Sequence, residues 1–499
     1  MREDAALWWT HSPWHPGCDT KPRLKKHRRN DTTWVSGTVS GEQSAAMKMN
    51  THSVLVVCRS VLAVGVSTAL IGCSSGSSNP LAPIQAAQQK NIGNFSTTVF
   101  LGDSLTAGYQ SGSLLDTQQV HGWANLMATQ ANFNITLPLI AYPGAPNVMQ
   151  LVSVGPPPVI TTAPGVTTGR DNFAIQPTDL AVPGAYLNDI ANTVPLATPA
   201  PGQQQLNQLV LGFPGLGYGQ DLSQAGFAIK AQPTTIFLWA GNNDALIADL
   251  TGTPSSMTPI ANFTTQYTAL IQLLTTMTPA HLVIGNIPDV TLVPYLQPAA
   301  LVLAEYSAAT GLPVAQLSAL FGINPGYYVT IDSGLSQIAA ILAGTQKGPI
   351  TDAGVLIAAE VVTVRAQVTA YNQVIAQQAQ AVGATLVDIN SLFTQIAASG
   401  VTINGFTGTT SFLGGLFSLD GIHPTNTGYA VIANKFIDTM NTSISTKIAD
   451  VPLGPVATAD PLWPINLVPH PTGAAAMTMP ATTSRVATDV LMGTWAPKK

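Results

Sequence analysis

Short apolar runs along this chain alternate with longer stretches of helical periodicity. Continuous apolar runs at residues 97–101, 134–140, 234–239, 282–287 and 385–389 predict buried strands. Before the last run, apolar residues recur every three or four positions over residues 357–382, and Gly383 follows where a helix would end. Strands separated by helices predict an α/β fold, a three-layer α/β/α sandwich around a parallel sheet.

Three segments depart from this alternation. Residues 144–233 are rich in Pro, Gly and Gln, which predicts long loops with short helices over the sheet edge. Residues 292–354 predict a helical insertion with few charges and an apolar segment at 335–342; it is either an extra helical layer or a lid over an apolar site. Residues 449–499 lack periodicity and predict a surface or disordered tail, so the main domain is expected at 95–448.

The N-terminal region has the pattern of an export signal. Residues 1–46 lack apolar periodicity and are interpreted as a non-native extension, with the natural start at Met47 or Met49. Residues 47–72 combine basic residues with an apolar run, 61–71, which is too short to span a bilayer. Residues 73–94 then predict a polar, flexible tether.

The end of that signal, Leu70-Ile71-Gly72-Cys73, resembles the lipobox of bacterial lipoproteins. The resemblance implies lipidation of Cys73, and Ser74 after it implies an exported protein anchored at the outer membrane or cell surface. An ordinary signal peptide or a weak membrane anchor is the alternative.

Charge and cysteine content exclude several classes of function. Nine of the 19 Lys and Arg precede Cys73, but only five of the 24 Asp and Glu do, so the rest of the chain is acidic. It offers no basic surface for nucleic acid. Processing at Cys73 would leave one cysteine, which excludes a disulfide and a Cys-based metal site. We expect a monomer without metal or cofactor.

The candidate chemistry starts at residues 100–109, FLGDSLTAGY. The first apolar run ends at Gly102-Asp103-Ser104, and an amphipathic segment follows. A serine at the carboxyl end of a parallel strand, beside the free N–H groups of a helix N-terminus, is a candidate nucleophile. The alternative is that Ser104 simply caps a helix.

Two later stretches favour the nucleophile: GNND at residues 241–244 and DGIHP at 420–424. In this order, the three stretches resemble the GDSL or SGNH hydrolases, a family of serine esterases and lipases, over about residues 97–440. The resemblance implies hydrolysis of carboxylic esters through an acyl-enzyme on Ser104. It also implies the flavodoxin-like arrangement of that family.

Each further catalytic role has a candidate. His423 is the candidate base, because Asp420 three residues earlier can orient its ring, whereas His121, His281 and His470 have no Asp at that spacing. Asn243 follows a strand and is a candidate oxyanion donor.

The backbone N–H groups of Ser104 and Gly184 complete the oxyanion hole that the family resemblance implies. Gly144 competes with Gly184 for that role.

The substrate class stays open between two kinds of ester. The apolar insertion favours acyl-lipid or short-chain acyl esters, whereas a carbohydrate acetylesterase of the same fold is the alternative. The non-catalytic alternative is a surface lipoprotein that binds lipid or glycan without turnover.

Overall fold

The structure, a computed structural model, describes residues 91–154, 158–171, 174–212 and 222–467. The predicted extension, signal peptide and lipidation site at Cys73 lie outside these residues, as do most of the tether and residues 468–499 of the tail. Among the described residues, no helix combines the length and the apolar character needed to span a bilayer.

The strands fall into one central sheet and three small ones. In chain order they are β1 (Thr98–Gly102), β2 (Met149–Ser153), β3 (Val159–Thr162), β4 (Thr235–Trp239), β5 (His281–Gly285), β6 (Leu296–Pro298), β7 (Tyr328–Thr330), β8 (Val355–Leu356), β9 (Thr385–Val387), β10 (Val401–Ile403) and β11 (Phe406–Gly408).

The helices connect these strands and cover the central sheet. They are α1 (Asp116–Gln119), α2 (Trp123–Ala131), α3 (Leu187–Asn192), α4 (Gln203–Leu211), α5 (Gln224–Ala231), α6 (Asn242–Thr251), α7 (Ile260–Met277), α8 (Ala299–Thr310), α9 (Val314–Phe321), α10 (Ser333–Leu342), α11 (Ala358–Val382), α12 (Ile389–Ser399), α13 (Asn426–Ser443) and α14 (Leu453–Ala459).

The central sheet is parallel, with strand order β1-β4-β5-β9. Every residue of β1, β4 and β5 is buried, which explains why their sequences read as continuous apolar runs. Because all four strands are parallel, their carboxyl ends meet at one edge, and Ser104 and the GNND stretch both lie there. The predicted α/β fold with a parallel sheet is confirmed.

Helices cover both faces of this sheet. On one face α2 packs on α13, where Trp123 stacks on Phe436 with ring centroids 4.0 Å apart. On the other face α3, α5, α7 and α11 pack together, and Phe263 stacks on Tyr371 at 4.0 Å. Side chains of β4 alternate between these layers, as the two-residue period of a strand requires, with Phe237 among the α2 and α13 aromatics.

The predicted strand at 134–140 is wrong. This segment carries no strand apart from a single bridge between Ile140 and Arg170, and Pro138 within it has no N–H to give to a ladder. Residues 178–182 occupy the place beside β1 instead. The Phe100 N–H donates to the carbonyl of Thr178 at 2.9 Å, and the Leu180 N–H donates to the carbonyl of Phe100 at 2.9 Å.

The insertion at 292–354 is helical, as predicted, but it also contributes β6 and β7 to a small antiparallel sheet with β8. It packs against the loop that carries His423: the Tyr295 N–H donates to the carbonyl of Gly421 at 2.8 Å. The apolar segment 335–342 lies in α10, whose Leu335 and Ile338 are fully buried. These contacts make the insertion a packed layer of the domain.

The domain continues past residue 448, which corrects the predicted boundary. Residues 451–467 contain α14 and bury Val451, Ala457 and Trp463. The Asp460 carboxylate accepts the Thr427 N–H at 2.8 Å and the Thr427 hydroxyl at 2.7 Å, so this segment caps α13. Its buried apolar side chains are too widely spaced in the sequence to show a period.

Candidate active site

Ser104 lies in a tight turn at the carboxyl end of β1. The Asp103 carbonyl accepts the N–H groups of Thr106 at 3.1 Å and Ala107 at 3.0 Å, and these bonds close the turn. Gly102 is required before it, because a Cβ atom there would lie 2.4 Å from the carbonyl oxygen of Trp239. Ser104 is 3% exposed.

The GNND stretch begins α6 at the end of β4, next to that turn. The Asn242 amide donates to Asp103 Oδ2 at 2.9 Å, which joins this stretch to the residue before Ser104. The Asn243 amide donates to the carbonyl of Ala185 at 2.9 Å. Asn243 therefore links the strand end to the loop that holds Gly184.

The two candidate glycines are in different settings. Gly184 has φ +77° and precedes Ala185, whose carbonyl Asn243 contacts. The Gly144 N–H instead donates to the carbonyl of Ala141 at 2.9 Å and so closes a local turn. Gly184 precedes the residue that Asn243 contacts, whereas the Gly144 N–H already has an acceptor. Both observations make Gly184 the better candidate for the oxyanion hole.

His423 and Asp420 form a fully buried pair. His423 Nδ1 lies 2.9 Å from Asp420 Oδ2, and both residues are 0% exposed. Asp420 Oδ2 also accepts the Gly112 N–H at 2.8 Å, while Oδ1 accepts the N–H groups of Ile422 and His423, each at 2.8 Å. The loop therefore folds around its own carboxylate.

Tyr109 connects the serine turn to the histidine loop. Its N–H donates to the carbonyl of Ser104 at 3.1 Å, and its ring centroid lies 4.7 Å from that of His423. The Tyr429 hydroxyl donates to the carbonyl of Tyr109 at 2.7 Å. Three segments remote in sequence thus meet at the carboxyl edge of the sheet. Tyr109 and Tyr429 read in the sequence only as apolar positions.

The sequence model of the family described as GDSL-like Lipase/Acylhydrolase matches residues 98–436, more than half of the chain. The chain belongs to this family. It is therefore a GDSL hydrolase that acts on ester bonds. None of the curated protein sequences compared with the chain matches it.

The structural similarities of this GDSL hydrolase are weaker. Axe2, an acetylxylan esterase from Geobacillus stearothermophilus, shares 11% identity at a TM-score of 0.32, with 71% of this chain and 98% of that chain covered. An extracellular lipase from Streptomyces rimosus shares 12% identity at a TM-score of 0.30, with 70% and 99% covered. The fold assignment rests on the strand topology and the family match.

Buried carboxyl groups surround the candidate site of the GDSL hydrolase. Burial raises the pKa of Asp103 to about 6, against the lowering effect of its bond from Asn242. Burial also acts to raise the pKa of Asp420, but the attraction of His423 and the N–H bonds to the carboxylate outweigh it and hold that pKa below its ordinary value. Asp420 is therefore the carboxylate suited to carry charge beside the imidazole.

Other polar residues of the motifs and the rival histidines have structural partners. Asp244 accepts the Leu187 N–H at 2.8 Å and the Thr258 hydroxyl at 2.6 Å, and burial raises its pKa to about 7. His281 Nε2 lies 2.9 Å from the Thr385 hydroxyl in the sheet, where burial lowers its pKa to about 4. His470 lies outside the described residues. Within them, no group of three His, Cys, Asp or Glu side chains is arranged to hold a metal ion.

A cleft of about 470 Å³ lies beside the Asp420 loop of the GDSL hydrolase. Its described lining mixes apolar and neutral polar side chains and includes no charged one. The lining residues are Ser111, Gln118, Met149, Gln150, Leu151, Val152, Ser153, Leu419, Pro461, Leu462, Asn466 and Leu467. The cleft is of the size that ordinarily holds a small molecule.

Proposed function

We propose that Ser104 is the nucleophile of this ester hydrolase, that His423 is its base and that Asp420 orients His423. The observation that carries the proposal is the fully buried Asp420–His423 pair at 2.9 Å, which Tyr109 joins to the serine turn. A carboxylate at Nδ1 keeps the proton on that nitrogen, so Nε2 is the nitrogen that accepts the proton of the serine.

The proposed reaction has two steps. The Ser104 oxygen attacks the acyl carbon while His423 Nε2 takes the serine proton, and the alcohol then leaves with that proton. Water, deprotonated by the same nitrogen, attacks the acyl-enzyme and releases the acid and the free serine. Asp420 stabilises the imidazolium that forms in each step.

Three donors are proposed for the oxyanion: the N–H groups of Ser104 and Gly184, and the Asn243 amide. A carboxamide nitrogen carries two hydrogens, and one of those on Asn243 goes to the carbonyl of Ala185. That bond fixes the side chain and leaves the second hydrogen for a developing negative charge. Removing one such donor typically lowers kcat by about 100- to 1,000-fold.

The test is hydrolysis of p-nitrophenyl esters by the full chain and by Ser104→Ala. We expect the variant to lose activity with an unchanged unfolding temperature. Ser113→Ala is the matched control, since Ser113 is equally buried and lies in the same loop. Near-wild-type activity of Ser104→Ala, or equal losses in both variants, would remove Ser104 from the proposed role.

We propose that the substrate is an acyl-lipid or short-chain acyl ester, because the apolar insertion at 292–354 packs against the loop that carries His423. A series of p-nitrophenyl esters from acetate to long acyl chains, run beside acetylated sugars, separates the acyl-ester enzyme from a carbohydrate acetylesterase. Preference for sugar acetates would favour the second.

We further propose that Cys73 carries a lipid that anchors the exported enzyme to a membrane. The support is the Leu70-Ile71-Gly72-Cys73 stretch and the Ser/Gly-rich segment after it. Metabolic labelling with an alkyne fatty acid should mark the wild-type protein and not Cys73→Ala. Labelling of the variant, or its absence in both, would contradict the anchor.

A further inference from the structure

A buried glutamine of α5 holds the residue two positions before Ser104. The Gln224 side chain is 1% exposed, and it contacts both backbone groups of Gly102. Its Oε1 accepts the Gly102 N–H at 2.9 Å, and its Nε2 donates to the Gly102 carbonyl at 2.9 Å. One carboxamide therefore satisfies the last residue of β1 as a neighbouring strand would.

The strand arrangement explains why Gly102 requires such a partner. Residues 178–182 run parallel to β1, with the Phe100 N–H on the Thr178 carbonyl and the Leu180 N–H on the Phe100 carbonyl. In a regular parallel ladder the Gly102 N–H would come next, on the carbonyl of Leu180. It donates to Gln224 instead, while the Val182 N–H still reaches the Gly102 carbonyl at 3.2 Å.

We propose that Gln224 is a positioning residue for the nucleophile, an inference that rests on the proposed role of Ser104. The Gly102 carbonyl and the Asp103 N–H belong to one rigid peptide plane. Two hydrogen bonds to that carbonyl, from Gln224 and Val182, therefore set the plane from which the Ser104 turn departs. A rotation of this plane would move the Ser104 hydroxyl and its N–H together.

The first test replaces the carboxamide with an apolar side chain of similar length. In Gln224→Met we expect kcat to fall by about 10- to 100-fold with KM within about threefold, the pattern of a displaced reacting group. Amide hydrogen exchange should become faster in the peptide that contains Gly102. The helix cap of α5 stays in place, because Ser223 provides it through its bond from the Gly226 N–H at 3.2 Å.

Gln119 offers a matched control in the same domain. It is also 1% exposed, and its carboxamide also spans two backbone groups, accepting the Ile140 N–H at 2.9 Å and donating to the Pro138 carbonyl at 3.1 Å. Gln119→Met should lower the unfolding temperature as Gln224→Met does, yet keep kcat within about twofold of wild type. Equal losses of kcat in the two variants would overturn the positioning role and leave a structural one.

A second variant gives a readout in pH. The carboxyl of Gln224→Glu reproduces both hydrogen bonds when protonated, because its O–H can donate to the Gly102 carbonyl. When it ionises, an oxygen without a hydrogen faces that carbonyl. The kcat of Gln224→Glu relative to wild type should therefore be near one at low pH and fall as pH rises, whereas a pH-independent ratio would contradict the inference.

The outcomes separate this inference from the proposed function. A folded Gln224→Met with kcat within twofold of wild type overturns the inference and leaves Ser104 in place. A wild-type chain that hydrolyses no ester overturns the proposed function instead. The rate of amide hydrogen exchange at Gly102 would then still show whether the Gln224 side chain holds the carboxyl end of β1.

Discussion

Replacing Asp420 with Asn removes one charge and adds two hydrogens at the centre of the candidate site. Asp420 accepts on both oxygens: Oδ2 from His423 Nδ1 and Gly112, and Oδ1 from the N–H groups of Ile422 and His423. The new amide nitrogen must take one of these two places. Oδ2 already faces two donors, and Oδ1 faces three, because the Ser418 hydroxyl also donates to it at 3.3 Å.

The two orientations differ in the number of bonds that they lose. At the Oδ1 position the amide nitrogen faces two backbone N–H groups, and both would lose their acceptor. At the Oδ2 position only the Gly112 N–H loses its acceptor, because His423 Nδ1 can become an acceptor itself. A buried N–H without a partner costs about 1–3 kcal/mol, so the second orientation is favoured.

That orientation gives the wrong tautomer of His423. When Nδ1 accepts from the Asn amide, the proton moves to Nε2, which can then no longer take the serine proton. We expect kcat to fall by about 1,000- to 10,000-fold, as the loss of tautomer control does in serine triads. The free energy of unfolding should fall by only about 1–3 kcal/mol.

The assay is ester hydrolysis under saturating substrate, with urea unfolding of the same preparations. Asp352→Asn, the same change at an exposed site, is the control and should leave both quantities unchanged. A kcat of Asp420→Asn within tenfold of wild type would refute the orienting role of Asp420.

Three further predictions follow from buried contacts elsewhere in the domain. Burial raises the pKa of Asp179 from 3.8 to about 8, so its protonated form stabilises the fold most at low pH, and this contribution is lost as pH rises towards 8. Between pH 3.8 and about 8, the free energy of unfolding measured in urea should fall by up to about 1.4 kcal/mol per pH unit more in wild type than in Asp179→Asn. The same pH dependence in both proteins would contradict this prediction. Asp460→Ala removes the acceptor of the Thr427 N–H and hydroxyl at the start of α13, and it should lower the free energy of unfolding by about 1–3 kcal/mol. The same substitution at an exposed aspartate should leave the free energy of unfolding unchanged. Gly102→Ala should give an inactive or unfolded protein, because its Cβ would meet the carbonyl of Trp239 at 2.4 Å; a folded, active variant would show that the strand end can shift.

The sequence predicted the parts of the fold that are continuous or strongly periodic. The buried strands β1, β4, β5 and β9 and the long helix α11 carry their pattern within one segment, and their prediction is confirmed. The prediction of a strand at 134–140 is wrong. An apolar run that contains a proline does not show whether its N–H groups have acceptors on a neighbouring strand. The segment that takes its place, 178–182, has only three consecutive apolar residues, Leu180, Ala181 and Val182, after a buried Asp179, and so short a run does not predict a strand.

The residues of the candidate site also differ in whether the sequence predicts them. Motif residues such as Ser104 and His423 are recognisable because each lies in a short stretch with its neighbours. Their catalytic roles stay predictions. Gln224 and Asp460 could not be found, since each acts through a partner more than 30 residues away and neither lies in a recognisable motif. Long-range side-chain contacts to backbone leave no local pattern.

The most direct test of the account is covalent labelling of the full chain with a fluorophosphonate, followed by mass-spectrometric mapping of the modified residue. An activated serine is needed for rapid labelling. We expect one adduct, on Ser104, that forms at least about 100-fold more slowly in His423→Ala. An adduct on another serine, or an unchanged rate in His423→Ala, would contradict the claim that Ser104 and His423 act together.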